Sequence, residues 1–319
     1  MQAGVSDPTA QPSSALDART RRLVGPIVAA KLLTLLAIWA CLALFPDIFA
    51  HRQYIEVFRG NYGQAAELHE RACEVAEARQ DWFQVGVHLT NAARVSMRLG
   101  EYERALDQYS TSLDRKRRVG DRMGQGFALF GIGLVNTYLG RYDEAEAALT
   151  DSLDLRRQID DQRGIGYCWY GLGLLALGRC QNSQAVDYFQ QAYGARSQLG
   201  LKAEMIVDLS YLGQAYLEMG KLDEAAEASK QAVALLAEQK DVEEVQQVHF
   251  NHFRVLAARQ EPEAGSFLQK AYTAMMQQAE RIDDPQKRQV FLDQSRINQQ
   301  IIGEVKSGRW GEVTAGSEA

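Results

Sequence analysis

The sequence predicts an all-α fold, a solenoid of antiparallel helix pairs with an apolar helix before it. Three observations carry that expectation. First, Gly60, Gly100, Gly140 and Gly220 share one forty-residue register, followed by Tyr62 and Ala65, Tyr102 and Ala105, Tyr142 and Ala145, and Leu222 and Ala225. Cys180 fills the remaining register position, with Ala185 after it. A period of this length marks stacked supersecondary units. Second, the prolines stand at 8, 12, 26, 46, 262 and 285, so Asp47 to Glu261 is free to be helical throughout. Third, no sustained period-two alternation of β-branched residues occurs.

The elements follow in order. Residues 1–22, rich in Ser, Ala, Pro, Gln and Asp and ending in Arg19, Arg21 and Arg22, are expected to be a disordered leader. Leu23 to Phe45 reads LVGPIVAAKLLTLLAIWACLALF, with Lys31 as its only charge, and Pro46-Asp47 ends it. That length suits a membrane-spanning helix. The preferred reading makes residues 23–46 a single-pass transmembrane anchor, with the arginines holding the N-terminus in the cytoplasm. Lys31 opposes it by roughly 2.5–3.5 kcal/mol at mid-membrane, less where its stem reaches the interface. The alternative is a soluble cytoplasmic chain whose apolar helix caps the first repeat. Cys41, Cys73, Cys168 and Cys180 contain no CxxC pair and fit a reducing compartment.

Residues 47–282 divide at about 47–81, 82–121, 122–161, 162–201, 202–241 and 242–282. The third unit shows the logic. Leu129, Ile132, Gly133 and Leu139 form one helical stripe, and Gly140 stops that helix. Tyr142-Asp143-Glu144 opens the second helix, whose apolar face is Ala145, Leu149, Leu153 and Leu155. Arg156 and Arg157 favour its C-terminal dipole, and Asp161 caps the next unit. Asp81, Asp121 and Asp241 repeat that cap, whereas Leu201 breaks the series. Ala93, Gly133, Gly173 and Gly213 keep one register small, for close helix approach. In the sixth unit Gln260-Glu261-Pro262 replaces the turn glycine. A capping helix is expected over 283–305, with Val290, Phe291, Ile297, Ile301 and Ile302 apolar, and a loose tail over 306–319.

Trp169-x-x-Leu172-Gly173, and Leu209-x-x-Leu212-Gly213-x-x-Tyr216 followed by Gly220, Leu222 and Ala225, resemble the tetratricopeptide repeat. Its usual period is about 34 residues. The longer unit here is similar to those of kinesin light chains and of regulatory arms in bacterial signalling ATPases and transcription activators. The resemblance covers roughly residues 47–282 and implies a right-handed superhelix. The first unit departs from the pattern at Arg52, Gln53 and Glu56.

The resemblance also implies that the first helices line a groove for a protein or peptide partner. Its positions fall here on Thr90, Arg94 and Arg98, on Phe127, Phe130 and Tyr138, on Tyr167 and Tyr170, and on Gln214. Aromatics and arginine suit a ligand with an apolar centre and an acidic flank. The same aromatics at helical spacing also suit packing.

Other features point to bland roles. Arg115-Lys116-Arg117-Arg118 reads as a solvated helix end. The net charge of -6 speaks against nucleic acid. His249 and His252, one turn apart, have no third ligand at metal spacing. No phosphate loop, HExxH, GxSxG or kinase signature occurs, so neither catalysis nor a cofactor is expected. The expected function is a protein-interaction scaffold. The alternative is a cytosolic sensor arm working with a bacterial signalling ATPase or transcription regulator.

Overall fold

The computed structural model describes residues 62–239, 242–311 and 313. The expected leader, the apolar segment 23–46 and the first helix of the first unit lie outside them. Among the described residues are thirteen α-helices and no strand: α1 (Tyr62–Ala78), α2 (Trp82–Leu99), α3 (Tyr102–Val119), α4 (Arg122–Leu139), α5 (Tyr142–Gln158), α6 (Gln162–Gly178), α7 (Asn182–Gln198), α8 (Lys202–Glu218), α9 (Leu222–Glu238), α10 (Val245–Ala258), α11 (Ala264–Glu280), α12 (Pro285–Gln294) and α13 (Arg296–Lys306). None of these is long and apolar enough to cross a membrane. The span expected over residues 23–46 therefore gains no support from them.

Each helix packs on the next to form a solenoid. The first helices of successive pairs also meet: α2 touches α4, α4 touches α6, and α8 touches α10. Contacts between second helices are sparser. The small register works as the close approach requires. A methyl group at Gly173 would overlap the Phe189 ring, and one at Gly133 would overlap Leu149.

Backbone stops recur every twenty residues. Gln80, Gly100, Gly120, Gly140, Asp160, Cys180, Gly200, Gly220 and Gln260 all have positive φ. The repeat thus preserves a left-handed helix end even where the glycine is gone. Gly100 has a second duty. A Cβ there would lie 3.0 Å from Gln294 Cβ and from the Ser295 amide nitrogen.

Helix starts carry a buried ion ladder. Asp81, Asp121 and Asp161 accept the amides of Gln84, Gly124 and Gly164. Asp121 also takes Lys116 at 3.1 Å, and Asp161 takes Arg156. Lys116, Arg156 and Arg196 stand forty residues apart, all buried, with their stems against Gly86, Gly126 and Gly166. Leu201 offers no carboxylate, so Arg196 pairs with the buried Asp208 on α8. Lys116 is thereby removed from the solvated face expected for the 115–118 cluster. The reason is that only one of four consecutive basic residues can point between two repeats.

One core joins the first and last described helices. It holds Tyr62, Ala65, Val95 and Leu99 together with Phe250, Phe253, Leu268, Met275, Phe291 and Ile301. Gln278 donates to the Tyr62 hydroxyl at 2.6 Å, and Gln64 donates to Asp283 at 2.8 Å. The capping segment is two helices broken at Ser295, whose backbone is extended. Residues 307–311 are not a loose tail: Trp310 packs edge-on against Phe253 with centroids 5.2 Å apart and donates to Glu304.

Two predictions follow from this packing. Gly120→Ala should cost only the left-handed penalty, about 1–2 kcal/mol. Gly100→Ala should cost clearly more in urea unfolding, because its methyl group also presses on the α12–α13 junction. Equal losses would refute that second duty. Ala76 stands five residues before Asp81, where Lys116 and Arg156 precede Asp121 and Asp161, so Asp81→Ala should cost about 1 kcal/mol as a lost cap. Asp161→Ala strands Arg156, which is 0% exposed, and should cost about 3–5 kcal/mol.

Candidate functional site

The face where the first helices meet carries the residues the sequence singled out. The structure places six of the nine in two groups.

In the N-terminal halves of α4 and α6 the surface is aromatic, with one exposed ring. Phe127 is 41% exposed, and the buried Arg156 guanidinium lies 4.4 Å from its ring centroid. Phe130, half-buried, lies 5.8 Å from Tyr167. Tyr167 donates to Glu204 at 3.1 Å, and Arg163 donates to the same oxygen at 2.9 Å. Burial raises the Glu204 carboxyl. Hydrogen bonds from its own backbone amide, Arg163 and Tyr167 outweigh that and hold it below the usual range. Arg196 lies 4.9 Å from the Tyr167 ring and 5.2 Å from that of Tyr170. The ion ladder of the repeats therefore backs three of these aromatic rings with cations.

Around Tyr170, Tyr138 and the end of α2 the face is filled. Arg98 donates to Glu243 at 2.9 Å and to Glu244 at 2.8 Å, across some 145 residues of chain. The Tyr170 hydroxyl also donates to Glu244, at 3.4 Å. Tyr170 is only 7% exposed and packs against Tyr211 and Phe189, at 5.6 and 6.2 Å between centroids. Tyr138 packs 5.4 Å from Tyr102. Burial, with the Glu244 charge added, pushes the Tyr138, Tyr170 and Tyr211 phenols up, so they stay protonated.

The remaining positions differ. Thr90 turns its hydroxyl to the Gly86 carbonyl at 3.0 Å and to Ser112 at 2.7 Å. Arg94 and Gln214 are half-buried on α2 and α8. The residues sequence reasoning missed are Glu243 and Glu244. They read as ordinary acidic residues at a helix start, and only their distance from Arg98 in the fold reveals a partner.

A second cluster lies between α1 and α2. His69 and His88, with rings 6.0 Å apart, line a pocket of about 280 Å³ with Cys73, Glu70, Glu74, Glu77 and Gln108. Burial, helped by His88 and Arg94, pushes His69 down to about 3, so it is neutral near pH 7. Among the described residues no group of three or more His, Cys, Asp or Glu is arranged to hold a metal. His252 lies 2.9 Å from the Ser229 hydroxyl.

The arrangement suits recognition by contact. Phe127 offers an exposed ring, Phe130 and Tyr167 offer half-buried ones, and the Arg98 guanidinium is occupied by Glu243 and Glu244.

Comparison with known proteins extends this. The sequence pattern of the tetratricopeptide repeat matches residues 84–158 and 136–198, and again 212–235. Among solved structures, a Rap protein complexed with competence and sporulation factor aligns at TM-score 0.60 and 18% identity, over 83% of this chain and 77% of that one. NprR in complex with its cognate peptide NprX aligns at 0.58 and 14% identity, over 91% and 88%. The Rap conjugation gene regulator of the plasmid pLS20, in complex with the Phr* peptide, aligns at 0.56 and 14% identity, over 84% and 75%. No curated protein matches the chain. At these identities the structural likeness is one of fold. Residues 84–198 and 212–235 thus carry tetratricopeptide repeats, in a helix-pair solenoid that shares the fold of these structures.

Proposed function

We propose that the chain is a non-catalytic interaction scaffold that holds a peptide segment of a protein partner on the face of its first helices. The observation that carries this reading is the aromatic strip of exposed Phe127 with half-buried Phe130 and Tyr167, backed by the buried Arg156 and Arg196. The solved structures of similar fold that hold peptides, NprR with NprX and the pLS20 regulator with Phr*, support it. The ligand carries apolar side chains for the strip and an acidic group that competes with Glu243 and Glu244 for Arg98.

A regulatory role is a second reading, favoured by the likeness to a conjugation gene regulator. In it the chain is a sensor arm whose peptide occupancy is passed to a signalling ATPase or transcription regulator. A membrane tether through residues 23–46 is a separate proposal and rests on sequence alone.

The test is affinity capture with the intact chain, followed by calorimetry on the captured partner. Phe130→Ala with Tyr167→Ala should weaken binding by about tenfold or more while thermal unfolding stays cooperative. Glu243→Gln with Glu244→Gln should tighten it, by freeing Arg98. A partner held equally by all three proteins would show that it binds elsewhere.

A further inference from the structure

Large apolar side chains gather on one edge of the repeats. Of the nine exposed ones among the described residues, five lie together: Trp82 and Phe83 at the start of α2, Val119 at the end of α3, and Met123 and Phe127 at the start of α4. Met123 is 55% exposed and Phe83 47%. Lys116 ties these three helix ends into one surface. Its stem lies on Gly86 of α2, and its ammonium group reaches Asp121 at the start of α4.

The edge is also cationic. Arg115 stacks 4.8 Å from the Trp82 ring centroid. Among the described residues, neither Arg115 nor Arg118 forms an ion pair, and Arg122 bonds only to the Gln158 side chain. Arg117 has a loose, exposed pair with Asp114 at 3.9 Å. Of the nearby carboxylates, Asp81 and Asp121 cap helices and Asp121 holds Lys116 as well, while Glu74 and Glu77 lie on the α1 side of Arg115, around Cys73. An apolar patch with unpaired guanidinium groups around it is unusual on a surface that only faces water.

We propose that this edge is a second docking surface, which takes an acidic segment of a partner protein. The partner's apolar side chains sit on Phe83 and Met123, and its carboxylates meet Arg115, Arg118 and Arg122. Charge complementarity selects this occupant. The chain as a whole carries a net charge of -6, so the positive sign is local to this edge and gives no general pull toward nucleic acid or anionic lipid. Phe127 stands where this edge meets the face described above, so one partner reaching both would gain from the linkage.

The experiment uses the full chain and a fluorescein-labelled peptide of about sixteen residues built from Glu, Leu and Phe, read by anisotropy. Wild type should bind it in the range of about 1–100 µM, and more weakly as salt rises. Two double variants, Phe83→Ser with Met123→Ser and Arg118→Glu with Arg122→Glu, should each weaken binding about tenfold. All four side chains are exposed, so both variants should keep the wild-type melting temperature. A peptide with Lys in place of Glu should not bind. The proposal is overturned by any of several results: no binding to wild type, or unchanged affinity in both variants. Tighter, variant-sensitive retention of a single-stranded oligonucleotide or of phosphatidylserine vesicles also overturns it, as does a dimer in sedimentation that the variants dissolve.

Discussion

Helix after helix in this chain ends at a residue of positive φ, twenty positions after the last one. The contacts between the repeats from Gln80 to Gly220 are built on that spacing. Because the helices keep nearly equal length, the N-terminal end of each first helix always arrives beside the C-terminal end of a second helix. A capping aspartate and a basic residue five positions before it are thus brought to the same place in successive units. A slip of one residue would rotate a helix by about 100° and separate all of these partners at once.

The buried ions show how such a repeat is kept specific. Hydrophobic contact alone tolerates small rotations of one helix pair against the next. A buried guanidinium does not, since losing its carboxylate leaves a charge in a medium that solvates it poorly. Arg156 is held by Asp161 and Ser152, and the hydroxyl of Ser152 donates to the Gly126 carbonyl. The glycines opposite each cation leave room for its stem. Where the aspartate is missing, at Leu201, the same cation finds Asp208 on the next helix, so the ladder bends without ending.

How much of this was legible follows from the same physics. The glycine stops, the aspartate caps and the small register are local, and each shows in a single residue type. Gln80, Asp160, Cys180 and Gln260 hide the same backbone state, because tertiary packing offsets the roughly 1–2 kcal/mol that a side chain adds there. Which of Arg115, Lys116, Arg117 and Arg118 turns inward is not visible in composition. The forty-residue recurrence at Lys116, Arg156 and Arg196, matched by Gly86, Gly126 and Gly166, was the available signal. The aromatic candidates on the first helices came from the family pattern, and the structure leaves Phe127 exposed, Phe130, Tyr138 and Tyr167 half-buried, and Tyr170 buried. The pairing of Arg98 with Glu243 and Glu244 was out of reach, because no local rule links residues so far apart.

That last pairing bears on what kind of ligand the first-helix face can take. Two carboxylates on one guanidinium leave the cluster with an excess negative charge, and Tyr170 offsets it only with a neutral hydroxyl. Such a cluster repels a further acid unless one glutamate leaves. A glutamate that leaves goes from a half-buried site to water, where it is well solvated, so the exchange is near balance rather than steeply uphill. Under the proposed function, apolar contacts on Phe127, Phe130 and Tyr167 then decide the direction. On this reading affinity comes from the open end of the face and selectivity from the occupied end, because a ligand without an acidic group has no means of displacing the glutamates.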